Sequence, residues 1–165
     1  MEHEKEVLFM TEVNGQDKKL IIFRIEEEEY AVSIQNVGSI EKIEAITRVP
    51  GAADFVKGVI NLRGVITPVI DLKQRFHQRE TIFTEQSRII IIHVDDITVG
   101  FIVDEANDVI DVNDELIEEA PEVVGSHNIE YISGVVKLDN RLLILLELTE
   151  VLQKQELTEL RNMEG

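Results

Sequence analysis

Cysteine is absent from the chain, so no disulfide framework, thiolate metal site or cysteine nucleophile is open to it. Alanine, the best helix former, is scarce, while Ile and Val together supply a quarter of the residues, a balance that leans all-β. Long apolar runs are missing as well. No window reaches the length of a membrane span. The charged start, Met1-Glu2-His3-Glu4-Lys5-Glu6, is not followed by an apolar stretch of signal-peptide length, so the cytoplasm is the expected compartment. Bases are outnumbered too: 16 Lys and Arg stand against 33 Asp and Glu, a formal net charge of −17. That field repels nucleic acid and anionic membrane surfaces, and no local basic cluster reverses it. The acidity itself reads as solubility.

Catalytic signatures are equally thin. There is no Gly-rich phosphate loop and no G-x-S-x-G elbow. The four histidines, His3, His77, His93 and His127, show no i, i+4 or H-x-H spacing of a metal site. The carboxylates sit in solvated turns such as Glu26–Glu29, Asp95-Asp96 and Glu118-Glu119, where nothing drives a pair of pKa values apart. Ile91-Ile92-His93-Val94-Asp95-Asp96 imitates the strand-end acidic pair of a Mg²⁺-dependent phosphoacceptor. A β-branched run resumes at Ile97, however, which reads Asp95-Asp96 as a two-residue hairpin turn. No catalytic residue, cofactor or metal is expected, and the weight moves to binding.

The most informative stretch runs from Val59 to Leu72. Two β-branched runs flank Asn61-Leu62-Arg63-Gly64, a β-hairpin turning at Arg63-Gly64, where Gly64 supplies the positive φ that tight turns need. Pro68 cannot donate to a ladder, so its strand is expected at an edge or locally bulged. The turn pushes a long cation, Arg63, out of an acidic protein. The same stretch returns seventy-six positions later: Phe55-Val56-Lys57-Gly58-Val59-Ile60-Asn61-Leu62 is echoed by Tyr131-Ile132-Ser133-Gly134-Val135-Val136-Lys137-Leu138. At smaller offsets, Ile46 to Pro50 matches Ile117 to Pro121, and Ile21 to Ile25 matches Ile90 to Val94. Three echoes in the same order mark an internal duplication, with extra residues around Gly125–Asn128 absorbing the drift.

Each half offers about five short strands, which suits a small closed barrel, and a barrel of that size has a marginal core alone. Ile89–Ile92 and Leu142–Leu146 are apolar on both strand faces. One face is expected inside a barrel and the other against the neighbouring half, with a groove where the halves meet. The organisation expected is a flexible leader over 1–17, a double-barrel domain over 18–152 and a helical tail over 153–165. The approximate halves are 18–80 and 87–152, intertwined, with His77–Gln86 as the linker. Ser33 is expected to cap a short helix carrying Ile34, Val37 and Glu41 along one stripe, and Asp71 to Phe76 to form a brief helical turn. Arg63, Val37 and Val109 are the candidate contacts, with Asn61 and Gly64 shaping the turn.

Asn61-Leu62-Arg63-Gly64, Pro68-Val69-Ile70-Asp71-Leu72, the Glu29-Tyr30 pair and Val37 resemble the CheW family of bacterial chemotaxis adaptors, and the resemblance runs from about Lys18 to Leu152. It implies an all-β fold of two intertwined SH3-like five-stranded barrels with short helices and a C-terminal helix. It also implies a non-catalytic scaffold linking the cytoplasmic tip of methyl-accepting chemoreceptors to the regulatory domain of the histidine kinase CheA, recruited to membrane receptor arrays without inserting in the bilayer. In that family the receptor's helical hairpin lies along the groove between barrels. Val37, Arg63 and Val109 fall at positions tied to receptor or signalling contacts. Family members often carry Glu where this chain has Ser39, a residue the resemblance couples to the motif arginine, here Arg63, and Glu41 is the candidate substitute. Glu118 and Val123 stand where a basic and an aromatic residue can serve a second kinase contact. The alternatives within the resemblance are a CheV-like adaptor fragment and a detached kinase regulatory domain.

Overall fold

The structure, a computed structural model, describes residues 17–119 and 131–163. Nearly all of the expected leader lies outside the described residues, as do Pro121, Val123, Gly125–Asn128, His3 and His127. The strands are β1 (Asp17–Ile25), β2 (Glu28–Ser33), β3 (Val37–Lys42), β4 (Val56–Leu62), β5 (Val65–Asp71), β6 (Arg88–Val94), β7 (Ile97–Val103), β8 (Glu105–Asn113), β9 (Ile117–Glu118), β10 (Ile132–Leu138) and β11 (Arg141–Leu146). Among the described residues two α-helices, α1 (Leu72–His77) and α2 (Lys154–Met163), join them. One sheet runs β8-β1-β2-β11-β10-β9 and the other β3-β6-β7-β5-β4.

Each sheet therefore takes strands from both repeats. β1 and β2 leave their own repeat to complete the sheet of β8–β11, and β6 and β7 complete that of β3–β5. The two pairings are copies of one another. Val69 lies opposite Gly100 in the parallel β5–β7 pair, and its repeat mate Leu145 lies opposite Ala31 in the parallel β11–β2 pair. Each sheet also closes through the same device. The chain after β3 crosses to β4, where Thr47 and Val59 exchange hydrogen bonds at 2.9 and 2.8 Å; after β8 it crosses to β10, where Glu118 faces Val135. Gly58 and Gly134 make these crossings possible. A Cβ on Gly58 (φ 149°) would lie 2.1 Å from the Thr47 carbonyl oxygen, and one on Gly134 would lie 2.7 Å from that of Glu118.

Strand exchange explains the doubly apolar strands. Ile89 and Ile91 point into the five-stranded barrel with Ile60, Val69 and Ile102, while Ile90 and Ile92 point out of it. Leu20 and Ile22 fill the other barrel while Ile21, Phe23 and Ile25 turn outward. The outward faces meet in the largest cluster, which lies between the barrels and joins Ile21, Phe23, Ile25, Tyr30 and Val32 to Ile90, Ile92, Val94, Val99 and Phe101. At about 1.5–3 kcal/mol for each buried aliphatic or aromatic side chain, prising the barrels apart is tantamount to unfolding them. Leu142 departs from the expectation for its run: the second residue of β11, it is exposed, and burial starts at Leu143.

Three other expectations need correction or refinement. Ser33 does cap a helical turn, its Oγ accepting from the Gln35 N–H, but that turn is a single 3-10 turn over Ile34–Asn36. Val37 and Glu41 belong to β3, because the open edge of β6 offers a full ladder to a β-branched segment that a short isolated helix cannot match. β5 is an interior strand despite Pro68. Val59, opposite Pro68, spends both backbone groups on Thr47, so the proline nitrogen faces β7, whose pairing begins only at Val69. Asp95-Asp96 is a two-residue turn with Asp95 at φ 55°, and among the described residues the strands do not alternate with the helices of a phosphoacceptor domain.

Two buried anchors fix the elements around the linker. Asp71 caps α1 through the N–H groups of Lys73 and Gln74 and also accepts from Thr81 N (2.8 Å) and Thr81 Oγ1 (2.6 Å). α2 buries Leu160 in the inter-barrel core and is tied down by Arg75 to Glu156 and by Arg161 to Asp96. Among the described residues no helix is long and apolar enough to cross a membrane.

Candidate protein-binding site

Four two-residue hairpin turns connect β1–β2, β4–β5, β6–β7 and β10–β11, and each puts its first residue in the left-handed region: Glu26, Arg63, Asp95 and Asp139. A side chain there costs on the order of 1 kcal/mol, least for Asn or Asp, whose short polar group bonds locally. Three of the four are acids. Arg63 (φ 50°) is the cation among the four, and its hydrogen bond runs not to its own turn but back to β3.

The turn is built around it. Asn61 Oδ1 accepts from the Gly64 N–H at 2.7 Å, which fixes the loop, and Gly64 completes it at φ 89°. The Arg63 side chain is 70% exposed and reaches back to β3, where its Nη2 lies 2.9 Å from Glu41 Oε2. The same carboxylate oxygen accepts from Ser39 Oγ at 2.7 Å. The Ser39 hydrogen bond is the main cause that holds the Glu41 carboxyl below its ordinary range; partial burial opposes it, and the Arg63 guanidinium adds to it. A surface pair of this kind is worth at most about 1 kcal/mol, so its value is orientation rather than stability.

The duplication shows how unusual this corner is. Glu41 lies opposite Ile89 on β6; the matching position of the other barrel, opposite Leu20, is the apolar Ile110. Arg63 is matched by Asp139 and Gly64 by Asn140. One barrel thus carries a cation and its orienting carboxylate where the other carries neither.

Asn61, Arg63 and Gly64 are brought together in one turn. Val37 and Val109 are not part of it. Val37 sits at a bulge in β3 opposite Ile92, packed on the inter-barrel core. Val109 lies on β8 opposite Ile21 and is exposed, on the face of its sheet that turns toward the other barrel. Its repeat mate is Ile40, opposite Ile90, also among the exposed apolar residues. Val65 and Ile66, which sequence reading passed over, follow the Arg63 turn on β5, and Ile40, passed over likewise, precedes Glu41 on β3 and faces the other way. Setting the two repeats side by side, Ile40 on Val109 and Ile66 on Leu142, is the signal that finds Ile40 and Ile66. Glu118 pairs with Lys137 across 3.6 Å on the surface of β9 and β10. Glu29 and Tyr30 turn out to be structural: Glu29 binds Arg141 through two oxygens, at 3.0 and 2.8 Å, and Tyr30 stacks on Phe23 in the core. No group of three or more His, Asp or Glu among the described residues is placed to hold a metal ion.

Two SH3-like barrels fused through a shared core, with their distinctive side chains on an exposed turn and two edge strands, define a protein-interaction module. A family model described as the CheW-like domain matches residues 19–156. The chemotaxis protein CheW of Bacillus subtilis (strain 168) is 50% identical over 138 residues, 84% of this chain and 88% of that protein. That of Klebsiella aerogenes is 36% identical over 146 residues, 88% of each chain. The crystal structure of the scaffolding protein TtCheW from Thermoanaerobacter tengcongensis superimposes with a TM-score of 0.77 at 34% identity, covering 86% of this chain and 91% of that one. The chain belongs to the CheW family of chemotaxis coupling scaffolds.

Proposed function

We propose that this protein is a non-catalytic cytoplasmic adaptor that holds the tip of a methyl-accepting chemoreceptor and the regulatory domain of the kinase CheA in one complex. In this reading Arg63, presented by Asn61 and Gly64, is the signalling contact, and Val37 and Val109 belong to the surfaces that partners cover. The observation that carries it is the break in internal symmetry: two barrels with matching strands, turns and closures differ at one corner, where an exposed guanidinium is oriented by its neighbours. The rigid core between the barrels supports the same reading, because an adaptor that passes a positional change from one partner to another must not absorb it internally.

The test is reconstitution. The purified protein is titrated separately with a receptor-tip fragment and with the kinase regulatory domain, and kinase activity is then assayed with all components present. Both partners are expected to bind, and Arg63→Glu is expected to leave the fold intact while impairing receptor-dependent activation. Normal activation by a folded Arg63→Glu variant, or failure of either partner to bind, would count against the proposal.

A further inference from the structure

At the other end of β4 from the Arg63 turn, charge converges in a cleft. The chain that crosses from β3 to β4 is folded into two turns before β4 begins. Ala52 N donates to the Val49 carbonyl at 3.3 Å, and Val56 N to that of Ala53 at 3.0 Å. The cleft beside these turns has a volume of about 510 Å³ and reaches Gln74 of α1 and Glu80 of the linker. That lies inside the roughly 300–1,000 Å³ of small-molecule sites. Val49, Pro50, Ala52, Ala53 and Val56 give it an apolar wall, and its polar groups are Arg48, Lys57, Asp54, Gln74 and Glu80.

The polar groups are unequally engaged. Lys57 has a side chain only 20% exposed, with its ammonium 2.6 Å from Glu80 Oε2 and 5.6 Å from the centre of the Phe83 ring. The Glu80 side chain is 67% exposed. Its carboxyl is held below the ordinary range by the Lys57 hydrogen bond and then by the Lys57 charge, with a smaller pull from Arg48. Arg48 and the Gln74 side chain make no hydrogen bond among the described residues. The backbone next to Glu80 is fixed, because Thr81 is tied twice to Asp71, so Glu80 can leave Lys57 by rotating its side chain alone.

A mostly buried ammonium is costly to leave without a counter-charge, so whatever displaces Glu80 from Lys57 must be an anion. It should carry a single charge. Arg48 and Lys57 balance Asp54 and Glu80 around the cleft, and a monoanion in place of Glu80 keeps that balance. A dianion would enter against a chain of net charge −17. A carboxylate also matches the planar donor fork of Arg48, and the apolar wall suits an aliphatic body. We propose that this cleft binds a small aliphatic monocarboxylate, its head replacing Glu80 beside Lys57 and Arg48 and its chain lying on Val49, Ala53 and Val56. The site needs neither receptor nor kinase, and it stands whether or not the adaptor reading does.

The experiment titrates sodium hexanoate into the ¹⁵N-labelled full chain at constant ionic strength, with acetate and hexanamide as the head alone and the uncharged isostere. Hexanoate is expected to give saturable shifts at the amides of Ala53, Val56, Lys57 and Glu80. Each buried methylene tightens binding about fourfold, so acetate should bind at least tenfold more weakly even with the chain partly covered. Hexanamide should not bind. Arg48→Gln should weaken hexanoate about threefold, the scale of a surface ion pair. Glu80→Gln should tighten it by about as much, because the internal competitor is gone; a merely structural Glu80 would not do this. Both variants change exposed side chains, and thermal midpoints check that each is folded. Shifts that stay linear with concentration, an equal response to hexanamide, or unchanged or weaker binding by a folded Glu80→Gln would overturn the proposal.

Discussion

Asp71→Ala is expected to remove about 3–5 kcal/mol of stability, although the residue touches no candidate contact. Its carboxylate is 1% exposed and accepts four hydrogen bonds: from Lys73 N at 3.1 Å, Gln74 N at 3.4 Å, Thr81 N at 2.8 Å and Thr81 Oγ1 at 2.6 Å. The first two are a helix cap, whose loss costs about 1 kcal/mol. The other two leave the buried Thr81 with unmatched donors, at about 1–3 kcal/mol each before the loop relaxes. Set against the 5–15 kcal/mol typical of a domain, roughly a third of the total depends on this one side chain. Urea denaturation of Asp71→Ala, Thr81→Val and the double variant measures it. Thr81→Val alone should cost about 1 kcal/mol, and much less once Asp71 is gone, because its acceptor has been removed. Asp71→Asn should fall between, since the amide can keep the cap but turns a donor toward Thr81 if it does. A loss below about 1 kcal/mol for Asp71→Ala, or strict additivity in the double variant, would refute the reasoning.

Three further outcomes are expected. Gly58→Ala forces a Cβ to within 2.1 Å of the Thr47 carbonyl oxygen and should open the Thr47–Val59 closure, read as faster amide exchange at both residues and a marked fall in the thermal midpoint. Gly134→Ala should do the same at β9 with smaller effect, its clash being 2.7 Å. Arg141, chiefly through its hydrogen bonds and secondly through its charge, holds the Glu29 carboxyl below the ordinary carboxylate range although burial opposes it. A depressed carboxyl contributes stability that is complete above its unfolded-state pKa and is lost as pH falls through the folded one. Glu29→Gln should therefore flatten the stability curve below the ordinary carboxylate range, measured as urea midpoints along the acid limb.

Much of this architecture could be read from residue order. The repeats at Gly58 and Gly134, the two-faced run Ile89–Ile92 and the Arg63-Gly64 turn carry their geometry in local chemistry, because periodicity and positive-φ positions are set by neighbours in sequence. The segment from Ser33 to Glu41 was misleading for a physical reason: a cap followed by apolar residues at helical spacing is a fair helix start, yet the open edge of β6 supplies more bonds than a helix so short can make for itself. What residue order withheld was pairing across distance. Nothing in Ile21–Ile25 says that its ladder partner is β8 and not β3. Nor does the spacing of Ser39, Glu41 and Arg63 announce a hydrogen-bonded chain, since it is closed by a turn more than twenty residues away. Asp71 belongs to the most legible stretch of all, but its tie to Thr81 depends on a loop whose path only tertiary structure sets.

The exchange of β1–β2 for β6–β7 also constrains how such a gene can change. A recombination event at the segment between His77 and Arg88 would look, on paper, like a clean cut between two copies of a module. It would hand the recipient no finished barrel: the first half carries β1 and β2 of one sheet and β3–β5 of the other, the second half β6 and β7 of one and β8–β11 of the other, each with its ladder left open. Modular shuffling is closed to this protein at the very place where the ancient joining of its copies is written, and it has to be inherited, duplicated or fused whole.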